Sequence, residues 1–258
     1  MTKVVALIPA RYGSTRFPGK PLASIAGKPM IEHVYTRTAR AETIARVIVA
    51  TDDERILQAV AAFGGDAVLT RADHPTGTDR LAEVAATLDA DLIVNVQGDE
   101  PLIEPRMIDQ AVAPLQANAD IGMGTLAGSI DQLEDFYNPN VVKVVRDLNG
   151  LALYFSRAPI PCSRDLTGVA LEQQLADLPL LRHIGLYVYR RQLLLDYPTW
   201  SKTCLEKLEN LEQLRALERG IKVHVALTEY SCHGVDTPAD IARIEALMDD
   251  NNRPQDPR

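Results

Sequence analysis

An α/β fold with a mostly parallel central sheet is predicted by two features of this chain of 258 residues. Short apolar segments alternate with amphipathic segments from residue 3 to about residue 118, which indicates strands joined by helical crossovers. The apolar segments contain almost no polar residues, as is typical of strands covered by helices on both faces. Right-handed crossovers of this kind join parallel strands. The sequence therefore predicts three layers, with a parallel sheet between two layers of helices.

The first half of the chain supplies the elements of this sheet. Four apolar runs predict strands, which are Val4–Ile8, Val47–Ala50, Ala67–Leu69 and Leu92–Val96. Three segments with apolar residues at helical spacing predict helices, which are Met30–Ala41, Glu54–Phe63 and Asp79–Leu88.

The pattern changes after residue 118, and a smaller antiparallel region is predicted over about residues 120–190. The turn signal Asn149-Gly150 lies between two apolar runs and predicts a hairpin of Val141–Val145 with Leu151–Phe155. Strands are also expected at Ile184–Tyr189 and Lys222–Leu227, with a helix over Glu206–Glu218 between them. A last helix is expected after Thr237 as its N-cap, with Pro238 at its first position.

Composition narrows the class of protein. No linker separates two units, so residues 1–258 are expected to form one domain, with a disordered polar tail at 249–258. The net charge of −8 argues against nucleic-acid binding, which requires a basic surface. No apolar run approaches the ~18 residues of a membrane span, and no signal-peptide pattern is present. Three widely spaced cysteines, Cys162, Cys204 and Cys232, favour reduced thiols and a cytoplasmic location.

The loop after the first strand carries the clearest chemical pattern. It contains three cations, Arg11, Arg16 and Lys20, beside the hydroxyls of Ser14 and Thr15. Cations beside hydroxyls suit a polyphosphate, and nucleotides usually bind near the loop after the first strand of such a sheet. The spacing is neither that of a Walker A loop nor that of a dinucleotide fingerprint. A solvated basic loop is the alternative interpretation.

A second polar group follows the strand Leu92–Val96. Asp99 and Glu100 come directly after Gly98, which permits a sharp turn at the carboxyl end of the sheet. A carboxylate beside a triphosphate needs a divalent cation between them, and Mg²⁺ is usually held by one or two carboxylates together with phosphates. A turn with solvated acids is the alternative, and the preceding phosphate-binding pattern favours a metal ligand.

Two further segments carry weaker signals. Thr70–Arg80 precedes a predicted helix and brings hydroxyls and free N–H groups together, which suits a ribose, a base or a phosphate. Ordinary capping of that helix by Thr76 or Thr78 explains the same residues. His183 and Tyr187 have the same parity in a predicted strand and therefore share a face.

Together these segments resemble the signature of the 3-deoxy-manno-octulosonate cytidylyltransferases, or CMP-Kdo synthetases. The resemblance begins with Ile8–Leu22 and continues in order through Thr51-Asp52, Thr70–His74, Asn95–Pro101, Tyr154–Arg157, Leu181–Tyr187, Leu211–Arg215 and Gly234–Pro238. Two residues depart from the family pattern, since Cys162 replaces a usual aromatic residue and Cys204 a usual proline. The resemblance implies a three-layer Rossmann-like nucleotidyltransferase fold, and a homodimer in which residues 120–190 serve dimerisation and sugar binding.

The resemblance also implies that the anomeric hydroxyl of 3-deoxy-D-manno-octulosonate (Kdo) attacks the α-phosphate of CTP, giving CMP-Kdo for lipopolysaccharide biosynthesis and pyrophosphate. The residues implied as catalytic are Arg11, Lys20, Asp99 and Asp236, and the implied ligands of Mg²⁺ are Asp99 and Asp236. Those implied to bind the nucleotide are Pro9, Ala10, Arg11, Ser14, Arg16, Lys20, Arg71, His74, Thr76, Gly77 and Thr78. Those implied to bind the sugar acid are Gln97, Arg157, His183, Tyr187, Glu212 and Gln213. For Asp236, favouring the positive end of the last helix is the alternative role.

Three other functions fit parts of the pattern. A cytidylyltransferase for another 2-keto sugar acid, such as 8-amino-Kdo or a sialic acid, would share the first loop, although Leu181–Gly185 and Leu211–Arg215 favour Kdo. A sugar-1-phosphate nucleotidyltransferase is disfavoured because Arg11 replaces the Gly-Gly start of its loop. A catalytically inactive nucleotide-sensing module is disfavoured by three intact residues, Lys20, Asp99 and Asp236.

Overall fold

The computed structural model describes residues 2–13, 17–162, 164–165, 178 and 180–252. Its strands are β1 (Val4–Ala10), β2 (Ser24–Ile25), β3 (Lys28–Pro29), β4 (Arg46–Thr51), β5 (Ala67–Leu69), β6 (Leu92–Asn95), β7 (Met123–Ser129), β8 (Lys143–Arg146), β9 (Ala152–Ser156), β10 (Leu181–Arg190) and β11 (Val223–Leu227). Its α-helices are α1 (Met30–Thr38), α2 (Glu54–Ala62), α3 (Gly77–Ala86), α4 (Pro105–Ala117), α5 (Leu133–Tyr137), α6 (Arg191–Asp196), α7 (Cys204–Glu209), α8 (Leu214–Leu217) and α9 (Asp240–Asn252).

Nine strands of the described chain form one sheet, in the order β11-β7-β10-β6-β1-β4-β5, with β8 joined to β10 and β9 to β8. β1 is parallel to both of its neighbours, β4 and β6. β10 is antiparallel to β6 and β7, and β11 is parallel to β7. The parallel sheet predicted for the first half is confirmed, and one antiparallel strand joins it to the second half of the chain.

Helices cover both faces of the sheet, which confirms the three predicted layers. In β1, Val4, Ala6 and Ile8 are buried in one core with residues of α1, α2 and α4, whereas Val5 and Leu7 are buried in a second core with α3 and α6. Side chains alternate between the faces of a strand, so a strand buried on both faces needs a continuous apolar sequence. None of the helices in the described residues is long and apolar enough to cross a lipid bilayer.

The predicted hairpin is present as β8 and β9. The carboxylate of Asp147 accepts hydrogen bonds from the N–H groups of Asn149 and Leu151, both at 2.8 Å. Gly150 has a φ of 80°, a left-handed conformation that glycine adopts without strain. β8 also pairs with the beginning of β10, so the antiparallel region is continuous with the main sheet. Its role in dimerisation stays a prediction.

Several predicted elements need correction. The helix expected over Glu206–Glu218 is divided into α7 and α8, because Asn210 takes a left-handed φ of 51° and ends α7. Strand β7 was not predicted, since glycine, threonine and serine interrupt its apolar pattern. The last helix begins at Asp240 and extends to Asn252, so residues 249–252 of the expected disordered tail are helical. Residues 253–258 lie outside the described residues.

Candidate active site

The candidate active site lies at the carboxyl ends of β1 and β6, where ligands of open α/β sheets bind. The loops after these strands and the start of α3 enclose a cavity of about 330 Å³, here called the first cavity. The predicted site residues that line it are Pro9, Ala10, Arg11, Lys20, His74, Thr76, Gly77, Gln97 and Asp99. Ser14 and Arg16 lie outside the described residues, so their roles stay predictions.

The loop after β6 passes very close to the end of β1. A Cβ atom at Gly98 would lie 2.8 Å from the carbonyl oxygen of Pro9, closer than a side chain tolerates. The N–H group of Val96 also donates to the carbonyl oxygen of Leu7 at 3.1 Å, which continues the strand pairing up to this turn. Glycine at this position therefore allows Asp99 to lie beside the loop that carries the predicted phosphate-binding cations.

Lys20 connects three segments of the site. Its Nζ donates to Oδ2 of Asp99 at 2.6 Å and to the carbonyl oxygen of Val235 at 2.9 Å. The lysine side chain is 15% exposed and that of the aspartate 37%, so the ion pair is only partly shielded from water. Gly19, with a φ of 73°, precedes the turn that presents the lysine. The first cavity therefore has a cation in its wall that is held in place from two sides.

The start of α3 forms another wall of the first cavity. Oγ1 of Thr76 accepts a hydrogen bond from the N–H group of Asp79 at 3.2 Å and donates to the Asp79 carboxylate at 2.6 Å. Thr76 thus caps the helix, as the alternative sequence interpretation expects, and also lines the cavity. The unpaired N–H groups and partial positive charge of a helix N-terminus favour an anion here.

Arg80 lines the first cavity although it was not among the predicted site residues. Its guanidinium donates to Oδ2 of Asp52 at 2.9 Å and to Oγ1 of Thr70, and its side chain is 5% exposed. These bonds fix the segment before α3 against the end of β4. Arg71, in contrast, is exposed, pairs with Asp73 at 2.9 Å and lies outside the lining of the first cavity, so its place in the nucleotide pocket stays a prediction.

A second cavity of about 450 Å³ adjoins the first. Gln97 lines both cavities, and its side-chain amide donates to the carbonyl oxygen of Gly185 at 3.0 Å. Gly185 lies where the pairing of β10 with β7 is interrupted, between Ile184 and Tyr187. The predicted sugar-binding residues that line the second cavity are Gln97, His183, Tyr187 and Gln213.

His183 is a neutral side chain at physiological pH, because burial lowers the pKa of its imidazole to about 3. Its Nε2 lies 2.9 Å from Oγ1 of Thr125. The single hydroxyl proton of Thr125 has two backbone acceptors, the carbonyl oxygens of Ile184 at 3.1 Å and Leu186 at 2.8 Å. With that proton donated to a carbonyl, Nε2 of the histidine is the donor and Nδ1 carries the lone pair. The imidazole can therefore accept a hydrogen bond from a bound hydroxyl group.

Two other residues of the second cavity are hydrogen-bond donors. Burial raises the pKa of the Tyr187 phenol, which therefore keeps its proton. Gln213 is buried, and its Nε2 has no hydrogen-bond partner among the described residues. An unsatisfied buried amide costs about 1–3 kcal/mol, so a ligand oxygen that accepts from it would be favoured. The second cavity thus offers neutral donors and acceptors suited to a polyhydroxylated ligand.

The structure brings the segments of Asp99 and Asp236 together. The N–H group of Val235 donates to the carbonyl oxygen of Asp99 at 2.9 Å. Asp240 holds the start of the last helix, because its Oδ2 accepts from the N–H groups of Asp236 and Thr237 at 3.0 Å and 2.8 Å, and the role of the Asp236 charge at the positive end of that helix stays a prediction. Within the described part of the chain, no three His, Cys, Asp or Glu side chains form a complete metal site. Two carboxylates on adjoining segments nevertheless fit Mg²⁺, whose remaining ligands are commonly phosphates and water.

Comparisons with known proteins identify the family. A cytidylyltransferase family model matches residues 5–223. The 3-deoxy-manno-octulosonate cytidylyltransferase of Geobacter metallireducens is 58% identical over 244 residues, which cover 94% of this chain and 96% of the relative. The protein of the same name from Pseudomonas syringae pv. syringae is 52% identical over 248 residues, which cover 94% and 97%. The chain belongs to the 3-deoxy-manno-octulosonate cytidylyltransferase family. The resemblance found in the sequence is therefore confirmed.

Solved structures agree with this family and with its fold. A CMP:2-keto-3-deoxy-manno-octonic acid synthetase complexed with CTP is 43% identical, with a TM-score of 0.89, and the match covers 97% of this chain and 100% of that one. A cytidylyltransferase from Leptospira borgpetersenii serovar Hardjo-bovis is 17% identical with a TM-score of 0.64, covering 96% and 87%, and shares the fold. The nucleotidyltransferase fold expected from the resemblance is thus confirmed.

Among the sugar-binding residues expected of a member of this family, Arg157 lies outside the lining of both cavities. Its guanidinium donates to three backbone carbonyl oxygens, those of Glu209 at 2.7 Å, Pro139 at 2.9 Å and Asn210 at 3.4 Å. Its N–H group donates to the Glu209 carboxylate at 2.9 Å. Arg157 therefore holds the loop after α7 in place in this structure, and its contact with the sugar acid stays a prediction.

Glu212 is also placed differently from the expectation for this family. Its carboxylate accepts hydrogen bonds from Thr76 at 3.3 Å and Thr78 at 3.0 Å, both at the start of α3. Burial raises the pKa of Glu212, although the hydrogen bond from Thr78 opposes the shift. Glu212 lines neither cavity and supports the start of α3 beside the first cavity, and its contact with the sugar stays a prediction. Thr78 likewise is buried on Glu212 and does not line the first cavity.

The lining of the second cavity contains three titratable residues that were not among the predicted site residues, Glu100, Arg182 and Cys232. Burial and the neighbouring Asp99 raise the pKa of Glu100 to about 7, against the effect of a hydrogen bond from the Cys232 thiol. Burial also raises the pKa of that thiol. The sequence did contain a signal for Glu100, because adjacent side chains diverge: Asp99 lines the first cavity and Glu100 the second.

Proposed function

We propose that this chain transfers CMP from CTP to the anomeric hydroxyl of Kdo and releases pyrophosphate. The observation that carries the proposal is that two cavities of different chemistry adjoin at Gln97. The first has cations and a helix N-terminus in its walls, and the second has neutral hydrogen-bonding groups. Two substrates held side by side in this way can react directly, because positioning removes much of the entropic barrier. The names of the relatives, and the CTP in the related structure, support the choice of substrates.

The first cavity is the proposed site of CTP. Arg11 and Lys20 would neutralise the triphosphate and the departing pyrophosphate. The N–H groups of Thr76 and Gly77 would donate hydrogen bonds to phosphate oxygens. Phosphoryl transfer asks a protein mainly for positioning and for stabilisation of charge. His74, which is paired with Glu83, would contribute to the wall of the nucleoside pocket.

The second cavity is the proposed site of Kdo. Tyr187 and Gln213 would donate hydrogen bonds to sugar hydroxyls, and Nδ1 of His183 would accept one. Gln97 lies at the junction of the cavities, where the attacking hydroxyl meets the α-phosphate. No general base is required from His183, whose low pKa makes it a weak proton acceptor.

Mg²⁺ is the proposed cofactor, with Asp99 and Asp236 as its protein ligands. When bound, it neutralises phosphate charge and lowers the pKa of the attacking hydroxyl, as metals do for bound water. Asp99 is paired with Lys20 in this structure, so the lysine ammonium group would lie beside a proposed metal ligand and donate to the phosphates. Arg11 and Lys20 would then face the pyrophosphate together.

The physiological setting follows from the proposed product. CMP-Kdo feeds lipopolysaccharide assembly, so we place the enzyme in the cytoplasm of a cell that makes lipopolysaccharide. We also propose a homodimer with residues 120–190 at the interface, and no partner of nucleic acid or membrane type. The net charge of −8 supports the exclusion of nucleic acid.

Pyrophosphate release tests the function. The purified chain is assayed with CTP, Mg²⁺ and a panel of Kdo, 8-amino-Kdo, a sialic acid and neutral sugars. The amino analogue is included because the buried carboxyl of Glu100 lines the second cavity and could pair with an ammonium group. We expect the highest specificity constant with Kdo. Equal or better turnover of another sugar acid would move the assignment to that substrate, and no release with any acid would refute it.

A further inference from the structure

The carboxylate of a bound sugar acid needs a cationic partner in the second cavity, and the described lining contains one arginine and no lysine. That arginine is Arg182, near the start of β10. The other groups in the described lining are a carboxyl, neutral amides, aromatic rings, a thiol and apolar side chains. His183 is neutral there, since burial lowers its pKa to about 3.

Two other cations of the antiparallel region, Lys143 and Arg157, are already used by the backbone. Nζ of Lys143 donates to the carbonyl oxygens of Asn138 at 2.8 Å, Val141 at 2.6 Å and Arg157 at 2.7 Å. The guanidinium of Arg157 likewise donates hydrogen bonds to three carbonyl oxygens. Neither can turn to a ligand without breaking several hydrogen bonds, whereas Arg182 is a cation that already lines the second cavity.

Arg182 has one donor without an acceptor among the described residues. Its Nε is buried and has no hydrogen-bond partner among the described residues. The nearby carboxyl of Glu100 accepts instead from the Cys232 thiol. Arg182 pairs in register with Gly128 of β7, and a Cβ there would lie 3.5 Å from Nε, so glycine leaves the arginine stem uncrowded. A buried guanidinium N–H without an acceptor is costly, so a turn of the Arg182 side chain toward a carboxylate in the second cavity would be favoured.

We propose that Arg182 binds the carboxylate of the sugar acid and makes the second cavity selective for acids over neutral sugars. The inference rests on the proposed function, because it assigns a residue to one group of that substrate. A guanidinium suits this task because its planar donors match the two oxygens of a carboxylate.

The experiment compares Kdo with its C1 methyl ester, which lacks the negative charge, in four proteins: wild type, Arg182→Gln, Arg182→Lys and Arg157→Gln. We expect wild type to prefer the acid by roughly 10–100-fold in kcat/KM, as for a charged hydrogen bond. Arg182→Gln should lose most of that preference through a higher KM for Kdo, with the KM for CTP unchanged. Arg182→Lys should keep part of it, since lysine keeps the charge and loses the planar fork.

Arg157→Gln is the matched comparison, and in this proposal it lowers the melting temperature while keeping the preference for the acid. If Arg182→Gln keeps the wild-type preference, or if Arg157→Gln alone loses it, Arg182 is not the carboxylate partner. If Arg182→Gln does not fold, the ratio of kcat/KM for Kdo to kcat/KM for its methyl ester is measured in Arg182→Lys instead. A partial loss of the preference for the acid supports the proposal, and an unchanged preference contradicts it. Failure of wild type to use any 2-keto sugar acid would overturn the proposed function itself, which is a distinguishable result.

Discussion

Nζ of Lys20 lies 2.6 Å from Oδ2 of Asp99, which joins the loop after β1 to the loop after β6 across 79 positions of sequence. The same Nζ donates to the carbonyl oxygen of Val235, next to Asp236. One ammonium group of the proposed triphosphate loop therefore contacts both segments that carry the proposed metal ligands. The arrangement also means that Asp99 has a counterion before any substrate is bound.

Replacement of Lys20 with alanine should reduce turnover far more than stability. The lysine is a loop cation at a cavity wall, and its loss leaves phosphate charge unpaired in the transition state. We expect kcat to fall roughly 10²–10³-fold, by analogy with lost oxyanion donors. Steady-state kinetics and thermal unfolding measure the two effects. Lys28→Ala is the control, because that lysine pairs with Glu32 on the surface; near-normal turnover in Lys20→Ala would remove it from the mechanism.

Replacement of Asp236 with asparagine should change the dependence on Mg²⁺. In the proposed site this carboxylate binds the cation, whereas the start of α9 is held by Asp240. We expect a normal melting temperature, slower turnover and a higher magnesium concentration for half-maximal rate. Asp240→Asn is the matched control and should lower the melting temperature with little change in magnesium dependence. The reverse pattern in the two variants would make Asp236 a structural residue.

The Glu212→Gln variant tests whether Glu212 supports the proposed CTP cavity or binds the sugar. The carboxylate of Glu212 accepts hydrogen bonds from Thr76 and Thr78 at the start of α3. Weaker hydrogen bonds to the amide that replaces this carboxylate should therefore disturb the wall of the proposed CTP cavity. We expect the KM for CTP to rise by about 3–10-fold, the effect of one weakened hydrogen bond of roughly 1 kcal/mol, and the KM for Kdo to change less. A selective rise in the KM for Kdo would instead support the sugar-binding role that the resemblance implied for Glu212.

The buried pair of Glu206 and Arg215 should make stability depend on pH. Arg215 donates to both carboxylate oxygens of Glu206, at 2.5 Å and 2.9 Å. Burial raises the pKa of Glu206, but the hydrogen bonds from Arg215 and from the N–H group of Thr203, together with the charges of Arg215 and Lys202, outweigh it and hold that pKa below its usual value of 4.5. A depressed pKa in the folded state contributes stability above the pKa of the unfolded state, and this is lost as pH falls through the folded value.

Glu206→Gln should therefore lower the free energy of unfolding by about 3–5 kcal/mol at pH 7, because Arg215 is left buried without its counterion. The difference from wild type should shrink below pH 4.5. Denaturant unfolding at a series of pH values measures it, with the exposed Glu134→Gln as control. A difference that stays constant from pH 7 to pH 3 would rule out this linkage.

The sequence predicted best those features that depend on local pattern. The continuous apolar run of β1 predicted a strand buried on two faces, and Gly98 predicted a turn where the structure shows a contact with Pro9. Features set by partners distant in sequence were not predictable. Arg157 and Arg182 are both arginines beside predicted strands, and only the carbonyl oxygens around the first and the cavity beside the second distinguish them. Asn210 broke a helix whose apolar spacing was otherwise regular.

Identification of the product tests the central claim most directly. The chain is incubated with CTP, Mg²⁺ and Kdo, with ATP or GTP in parallel, and the products are followed by ³¹P NMR and mass spectrometry. We predict one CMP-Kdo for each pyrophosphate with CTP, and little product with either purine nucleotide, for which a pocket sized for a pyrimidine is too small. Pyrophosphate accompanied by free CMP at the same rate without Kdo, or equal product from a purine triphosphate, would contradict the account.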